Sequence, residues 1–167
     1  MRARTAAATT GVALALILTG CGGASTTPKQ PATTSASASP SLDPAAKVRA
    51  WADAGGTDTL GTIAKSLAQV DKDSHPVNLA GLQTSCAQLT ADVEAAQGED
   101  PMPDKTLAKR WKLALDHLGK SASACTVGAA SEDQASFDLM SAEMSIGTEH
   151  LNAVVKRINE INASSDS

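Results

Sequence analysis

Apolar residues recur every three or four positions through the last three quarters of the chain, which is the spacing of a helix face that packs against other helices. The longest such row is Phe137, Met140, Met144, Gly147, Leu151, Val154, Ile158 and Ile161. Three further rows share this spacing: Val48, Ala52, Leu60, Ile63, Leu67 and Val70; Leu79, Leu82, Cys86, Leu89 and Val93; and Leu107, Trp111, Leu115, Leu118, Ala122 and Cys125. No stretch of the sequence alternates Val, Ile or Thr with polar residues over the length of a strand. The pattern therefore predicts four helices and no sheet.

Capping residues indicate where three of these helices begin. Asp43 is a predicted N-cap, and Pro44 follows it at the first helical position, where the missing N–H costs nothing. Asp104 is the predicted cap of the third helix, and Ser131 with Gln134 forms a predicted capping box for the fourth.

Loops rich in charge, Pro and Gly separate the helices at residues 72–76 and 98–103. The pair Gly55-Gly56 interrupts the first helix, but the apolar spacing continues across it, which favours one long helix with a kink or a close helix contact. Short loops place consecutive helices antiparallel. We therefore expect an all-α domain over residues 43–163, an up-down-up-down four-helix bundle.

Candidate catalytic and metal-binding residues are few. The histidines are His75, in a loop, and His117 and His150, which directly follow Asp116 and Glu149. Adjacent residues on a helix point apart, so these are poor ligand or acid–base pairs. The sequence thus predicts no catalytic residue, no metal site and no bound cofactor.

Two pairs of large side chains allow a second interpretation. Met140 and Met144 lie one turn apart, as a copper site would require, but their phase with Phe137 favours a place in the core. Trp51 and Trp111 are expected to anchor the packing where the first and third helices meet, and the alternative is a wall on which a ligand stacks.

The N-terminus has the pattern of an exported protein. Arg2 and Arg4 precede an apolar run over residues 6–18, which is the anatomy of a signal peptide and is too short to span a membrane. The run ends in Leu18-Thr19-Gly20-Cys21, which resembles the lipobox of bacterial lipoproteins. The resemblance implies that residues 1–20 are removed, that Cys21 is lipidated on sulfur, and that the protein is anchored on the extracytoplasmic face of the cell membrane.

Residues 21–42 contain the anchor and a stretch of Ser, Thr, Ala, Pro and Gly without large apolar residues before Leu42. Such a composition cannot bury enough surface to fold, so a disordered tether is expected. Whether its hydroxyls carry sugars stays open. The whole chain has 18 acidic and 14 basic side chains, which makes nucleic acid an unsuitable partner.

With Cys21 lipidated, Cys86 and Cys125 are the remaining cysteines of an exported protein, and they are expected to form a disulfide. If the second and third helices formed a simple hairpin, the two cysteines would be offset by roughly 15 Å along the helix axes. The disulfide therefore requires residues 98–103 to run extended past the end of the second helix, so that the third helix begins higher.

A narrower pattern resembles uncharacterised small helical lipoproteins of actinobacteria. Its residues are Leu82-x3-Cys86-x2-Leu89, Pro101-x-Pro103-Asp104, Trp111-x3-Leu115 and Cys125. These positions are structural, and the resemblance implies no activity.

The sequence favours a non-enzymatic binding or structural module of the cell envelope, anchored to the membrane through Cys21 and displaying a surface for an envelope protein partner. The alternative is a carrier or sensor of a small apolar ligand held between the helices, because Ala- and Gly-rich faces can leave a cavity. An enzyme is the third hypothesis, for which Asp116, His117, Glu149 and His150 are the best candidates.

Overall fold

The computed structural model describes residues 43–164, and the predicted signal peptide, Cys21 and tether lie outside the described residues. The elements are α1 (Pro44–Trp51), a five-residue π-helical turn (Ala52–Gly56), α2 (Thr57–Ser74), α3 (Leu79–Gln97), α4 (Lys105–Ser131) and α5 (Gln134–Ser164). No strand occurs among the described residues, which confirms the all-α prediction. No helix in this part of the chain is long and apolar enough to cross a membrane.

The π-helical turn is the predicted interruption between α1 and α2. Gly55 has φ 109°, a conformation that only glycine adopts without strain. Gly56 lies against the ring of Trp51, and a Cβ atom there would overlap the ring. The two glycines therefore bend one helical segment and let the first tryptophan cover the bend.

The structure bears on all three predicted caps. Asp43 is at the N-cap of α1 and Pro44 is in the first turn, as predicted, but the Asp43 side chain makes no capping hydrogen bond. Asp104 caps α4, because its Oδ1 accepts hydrogen bonds from the backbone N–H groups of Thr106 and Leu107 at 3.0 and 2.9 Å. The predicted capping box at Ser131 is wrong. Ser131 still belongs to α4 and donates to the carbonyl of residue 127, and Asp133 instead accepts from the N–H of Ser136 at 2.9 Å.

Consecutive helices pack antiparallel, α2 on α3, α3 on α4 and α4 on α5, and α1 packs on α5. The large, fully buried side chains come from α1 to α5: Val48, Ile63, Val70, Leu82, Leu89, Val93, Leu107, Leu118 and Val154. No Cα atom of α2 lies within 8 Å of a Cα atom of α5. The four-helix bundle is therefore open along the α2–α5 edge.

The structure joins Cys86 in α3 to Cys125 in α4 as a disulfide, with their Cα atoms 5.9 Å apart. In sequence, Cys86 lies about 11 residues before the end of α3, whereas Cys125 lies about 20 residues after the start of α4. At 1.5 Å per residue, α4 therefore begins about 14 Å beyond the end of α3. Residues 98–104 cover this distance, and Met102 is buried along their path.

The contact between α4 and α5 depends on small residues. A Cβ atom on Gly147 would lie 2.7 Å from Leu118 Cδ2 and 3.2 Å from the Leu118 backbone nitrogen. One turn further along the interface, the buried Ser121 hydroxyl donates to the Met140 carbonyl at 2.8 Å. Glycine at 147 therefore sets how closely these two helices approach.

Candidate binding groove between α2 and α5

The open edge of the bundle holds a groove of about 800 Å³. It lies between the C-terminal end of α2 with the following loop and the first two thirds of α5. Its apolar lining consists of Val77, Leu82, Phe137, Met140 and Met144. The volume falls in the range of sites that take small organic ligands.

Three of the five apolar lining residues, Phe137, Met140 and Met144, belong to the α5 row that is predicted to face the core. Met140 is buried, but Phe137 and Met144 are only partly buried, because α2 does not cover this part of α5. The Phe137 ring rests on α4, where a Cβ atom on Gly128 would lie 3.0 Å from it. The sequence thus identified these side chains as apolar and inward-facing but missed that they line an open groove.

A second row of α5 residues forms the rim of the groove. Four of its residues directly follow a residue of the apolar row, and Glu149 follows the third of these four. All five are small or polar: Ser141, Ser145, Thr148, Glu149 and Asn152. The lining extends from Gln134 to Asn152, about 27 Å along the helix. A polar row directly beside an apolar row is the signal in the sequence from which this edge could have been found.

Asp71, Ser74 and His75 form the opposite rim, at the end of α2. His75 Nδ1 lies 3.5 Å from Asp71 Oδ1, and both side chains are exposed. The Ser74 hydroxyl donates to the carbonyl of residue 70 at 2.8 Å, and the Ser141 hydroxyl donates to the carbonyl of Phe137 at 3.0 Å. The hydrogen atoms of both hydroxyls are therefore used within their own helices and are not offered to a ligand in the groove.

The charged side chains of the lining are carboxylates, Asp71 on one rim and Glu149 on the other. No lysine or arginine is among the described residues that line the groove. Glu149 lies twelve residues beyond Phe137 on α5, which is about 18 Å. Asp71 lies near the C-terminal end of α2, which the antiparallel order of the helices places at the same end of the bundle as the beginning of α5. The two carboxylates therefore lie toward opposite ends of the groove.

The histidines on α4 and α5 lie in a different place from the groove. His117 Nδ1 is 2.6 Å from Glu143 Oε2, and these side chains are 21% and 18% exposed. The His117 and His150 rings are 5.9 Å apart at their centroids, and Arg110 Nη1 lies 3.3 Å from His150 Nδ1. None of these four side chains lines the groove.

The sequence does not predict this cluster, because spacing along the chain pairs His117 and His150 only with their neighbours Asp116 and Glu149. The neighbours point elsewhere, as predicted: Asp116 accepts from Lys112 at 2.8 Å, and Glu149 lines the groove. Finding the partner Glu143 requires the register between α4 and α5, which spacing along one helix does not contain. Among the described residues, no group of three His, Cys, Asp or Glu side chains is arranged to hold a metal ion.

The two tryptophans have separate environments. Trp51 is partly buried and covers Gly56. Trp111 is buried in α4 and lines a second cavity of about 530 Å³ beneath residues 98–104, together with Met102 and Ala108. Neither tryptophan lines the α2–α5 groove.

No protein-family model matches the chain, and neither a curated protein nor a solved structure matches it. The likeness to bacterial lipoproteins therefore stays a prediction from the residues around Cys21.

Proposed function

We propose that this chain is a non-enzymatic binding module of the cell envelope, anchored by a lipid on Cys21, and that the α2–α5 groove binds a small apolar ligand. The observation that carries the proposal is the groove itself. Its floor and walls expose Phe137 and Met144 where a closed bundle would bury them. Exposed apolar side chains gathered in a concave site are stabilised when a ligand removes them from water.

The composition of the groove supports an adaptable site. Met140 and Met144 have flexible, polarisable side chains that fit ligands of different shape. Phe137 adds a rigid aromatic face, held in place over Gly128. We therefore infer a carrier or sensor of hydrophobic molecules in preference to an enzyme with one exact substrate.

The polar groups of the groove support the absence of catalysis. The hydroxyls of Ser74 and Ser141 donate to backbone carbonyls of their own helices. The His117–Glu143 pair has the spacing of an acid–base couple but lies outside the groove. On the rim of the groove, His75 Nδ1 lies 3.5 Å from Asp71 Oδ1, but the Ser74 hydroxyl donates to a carbonyl of its own helix. Covalent catalysis requires the nucleophile to donate to its base instead.

The test is native mass spectrometry of the protein purified from its own cells. Wild type is expected to retain a small-molecule mass that denaturation releases. Ser145→Trp places a large ring in the groove and should lose that mass. Ala142→Trp makes the same change at an exposed position of α5 that does not line the groove, and it should keep the mass.

A wild-type protein without any bound mass would contradict the small-ligand proposal. A photo-crosslinking residue at position 145 then tests the other occupant. If it captures one envelope protein in living cells and an equivalent residue at position 142 does not, the groove binds a protein segment instead.

The anchor is tested separately. The mature protein should carry a diacylglyceryl mass on Cys21 and should sediment with membranes, because two acyl chains suffice for stable anchoring. Cys21→Ala should abolish both. A mature protein that begins elsewhere and lacks the added mass would overturn the anchor and leave the groove unaffected.

A further inference from the structure

We infer that the groove selects its ligand by charge, and that it takes a single-chain amphiphile whose polar end is uncharged or cationic in preference to an anionic one. This inference rests on the proposed function, since it concerns the same groove. It follows from the position of the two carboxylates, Asp71 and Glu149, relative to the apolar lining.

The apolar part of the groove extends along the axis of α5, which favours a single chain. Phe137, Met140 and Met144 follow one another along about 10 Å of α5, and Leu82 of α3 contributes to the same lining. The lining continues for about 12 Å beyond Met144, where it becomes polar with Thr148, Glu149 and Asn152. A flexible alkyl chain can lie along the apolar stretch and leave its polar end at one extremity.

Either orientation brings that polar end to a carboxylate. At the α2 end it meets Asp71 and His75, which already lie 3.5 Å apart. At the other end it meets Glu149 with neutral Thr148 and Asn152. Since no lysine or arginine is among the described lining residues, an anionic group would meet a carboxylate at either end and no permanent cation.

The charge of the whole chain acts in the same direction, because its formal net charge is −4 at pH 7. Both carboxylates are exposed, so salt screens their effect. We therefore expect a preference that is modest and decreases with ionic strength. For charges a few ångströms apart near a surface, we expect the anionic amphiphile to bind about fivefold more weakly than the others at low salt.

The experiment compares three fourteen-carbon probes below their micelle concentrations: tetradecyltrimethylammonium, tetradecyl maltoside and tetradecanoate. The protein is the acyl-free chain from residue 22, which contains every described residue, used after circular dichroism has shown its helices. Calorimetric titration at low salt should give the cationic and uncharged probes about fivefold tighter binding than the anionic probe. The difference should shrink at 0.5 M salt.

A matched pair of double variants separates local charge from total charge. Asp71→Asn with Glu149→Gln should remove most of the discrimination. Asp58→Asn with Glu94→Gln removes the same total charge at exposed positions outside the groove, and it should retain the discrimination.

The outcomes distinguish the two proposals. If none of the three probes binds, or if Ser145→Trp binds all three as well as wild type, the groove is not an apolar ligand site and the proposed function fails. If the probes bind through the groove but tetradecanoate binds as tightly as the others, the charge selection is wrong and the ligand site stands. Equal discrimination in both double variants would also overturn the role of Asp71 and Glu149.

Discussion

The α4–α5 interface and the α2–α5 edge share one helix but differ in how its side chains are used. Along the interface with α4, Gly147 admits Leu118 at a distance that a Cβ atom would not tolerate. Along the edge facing α2, Phe137 and Met144 are only partly buried, and no Cα atom of α2 comes within 8 Å of α5. The close interface provides stability, and the open edge leaves room for binding.

The difference arises from the path of the first helical segment. The π-helical turn at Gly55 separates α1, which packs on α5, from α2, which packs on α3. Ala45 of α1 and Ile161 of α5 line a small cavity at the same end of the bundle. One end of α5 is thus covered by α1, and the other end is left open beside α2.

The largest expected effect concerns the disulfide, which belongs to the closed part of the molecule. Replacing both Cys86 and Cys125 by Ala should lower the free energy of unfolding by about 4 kcal/mol, because the bond closes a loop of about 40 residues in the unfolded chain. Chemical denaturation measures the change. Non-reducing mass spectrometry of wild type is the control, and two free thiols there would contradict the disulfide.

The second effect concerns the close approach at Gly147. Gly147→Ala should lower the free energy of unfolding by about 2 kcal/mol, since the new methyl group overpacks against Leu118. Gly61→Ala in α2 is the matched control, because nothing lies within 4 Å of its Cβ position. That control should gain up to about 1 kcal/mol from helix propensity. Equal stabilisation by both substitutions would show that the interface is looser than described.

Two serines, one at the α4–α5 interface and one on the α2–α5 edge, extend the comparison. Ser121→Ala removes the buried hydrogen bond to the Met140 carbonyl and should cost about 1 kcal/mol in unfolding free energy. Ser145→Ala on the open edge should change it by less than about 0.5 kcal/mol. A larger loss at 145 than at 121 would reverse the assignment of the two sides.

The smallest effect is a pH dependence at the beginning of α5. Hydrogen bonds from Ser136, first from its side chain and then from its backbone, lower the pKa of Asp133 below its ordinary value. The cap therefore stabilises the fold fully above the unfolded-state pKa and loses this contribution as pH falls through the lower folded-state pKa. Asp133→Asn should lower Tm at pH 7 by more than it does at pH 2. If the difference in Tm between wild type and variant is the same at both pH values, the charge of Asp133 does not contribute to the stability of the cap.

The four helices and the cysteine pairing could be predicted because each depends on local pattern or simple exclusion. A row such as Leu107, Trp111 and Leu115 identifies a helix face without knowledge of its neighbour. The path of residues 98–103 past the end of the second helix was predicted from the requirement that Cys86 reach Cys125. The error at Ser131 was also local. Asp133, two residues later, is an equally suitable N-cap residue, and it is the one that accepts the capping hydrogen bond.

The groove and the His117–Glu143 pair could not be predicted, because both depend on how one helix lies against another. Periodicity identifies Phe137 and Met144 as apolar, but only the separation of α2 from α5 leaves them partly exposed. Likewise, Glu143 meets His117 through the register between α4 and α5. Spacing along a single helix carries no information on either relation.

The most direct test of the open edge uses the methionine methyl groups as reporters. Apart from Met1, the sequence contains Met102, Met140 and Met144. Met140 and Met144 line the groove, whereas Met102 is buried within the segment 98–104, away from it. NMR spectra of the methyl-labelled, acyl-free protein would be recorded while tetradecyl maltoside is added below its micelle concentration. The account predicts that the Met140 and Met144 signals shift together and saturate while Met102 stays unchanged. Signals that do not move, or a shift at Met102 alone, would contradict the α2–α5 groove as the binding site.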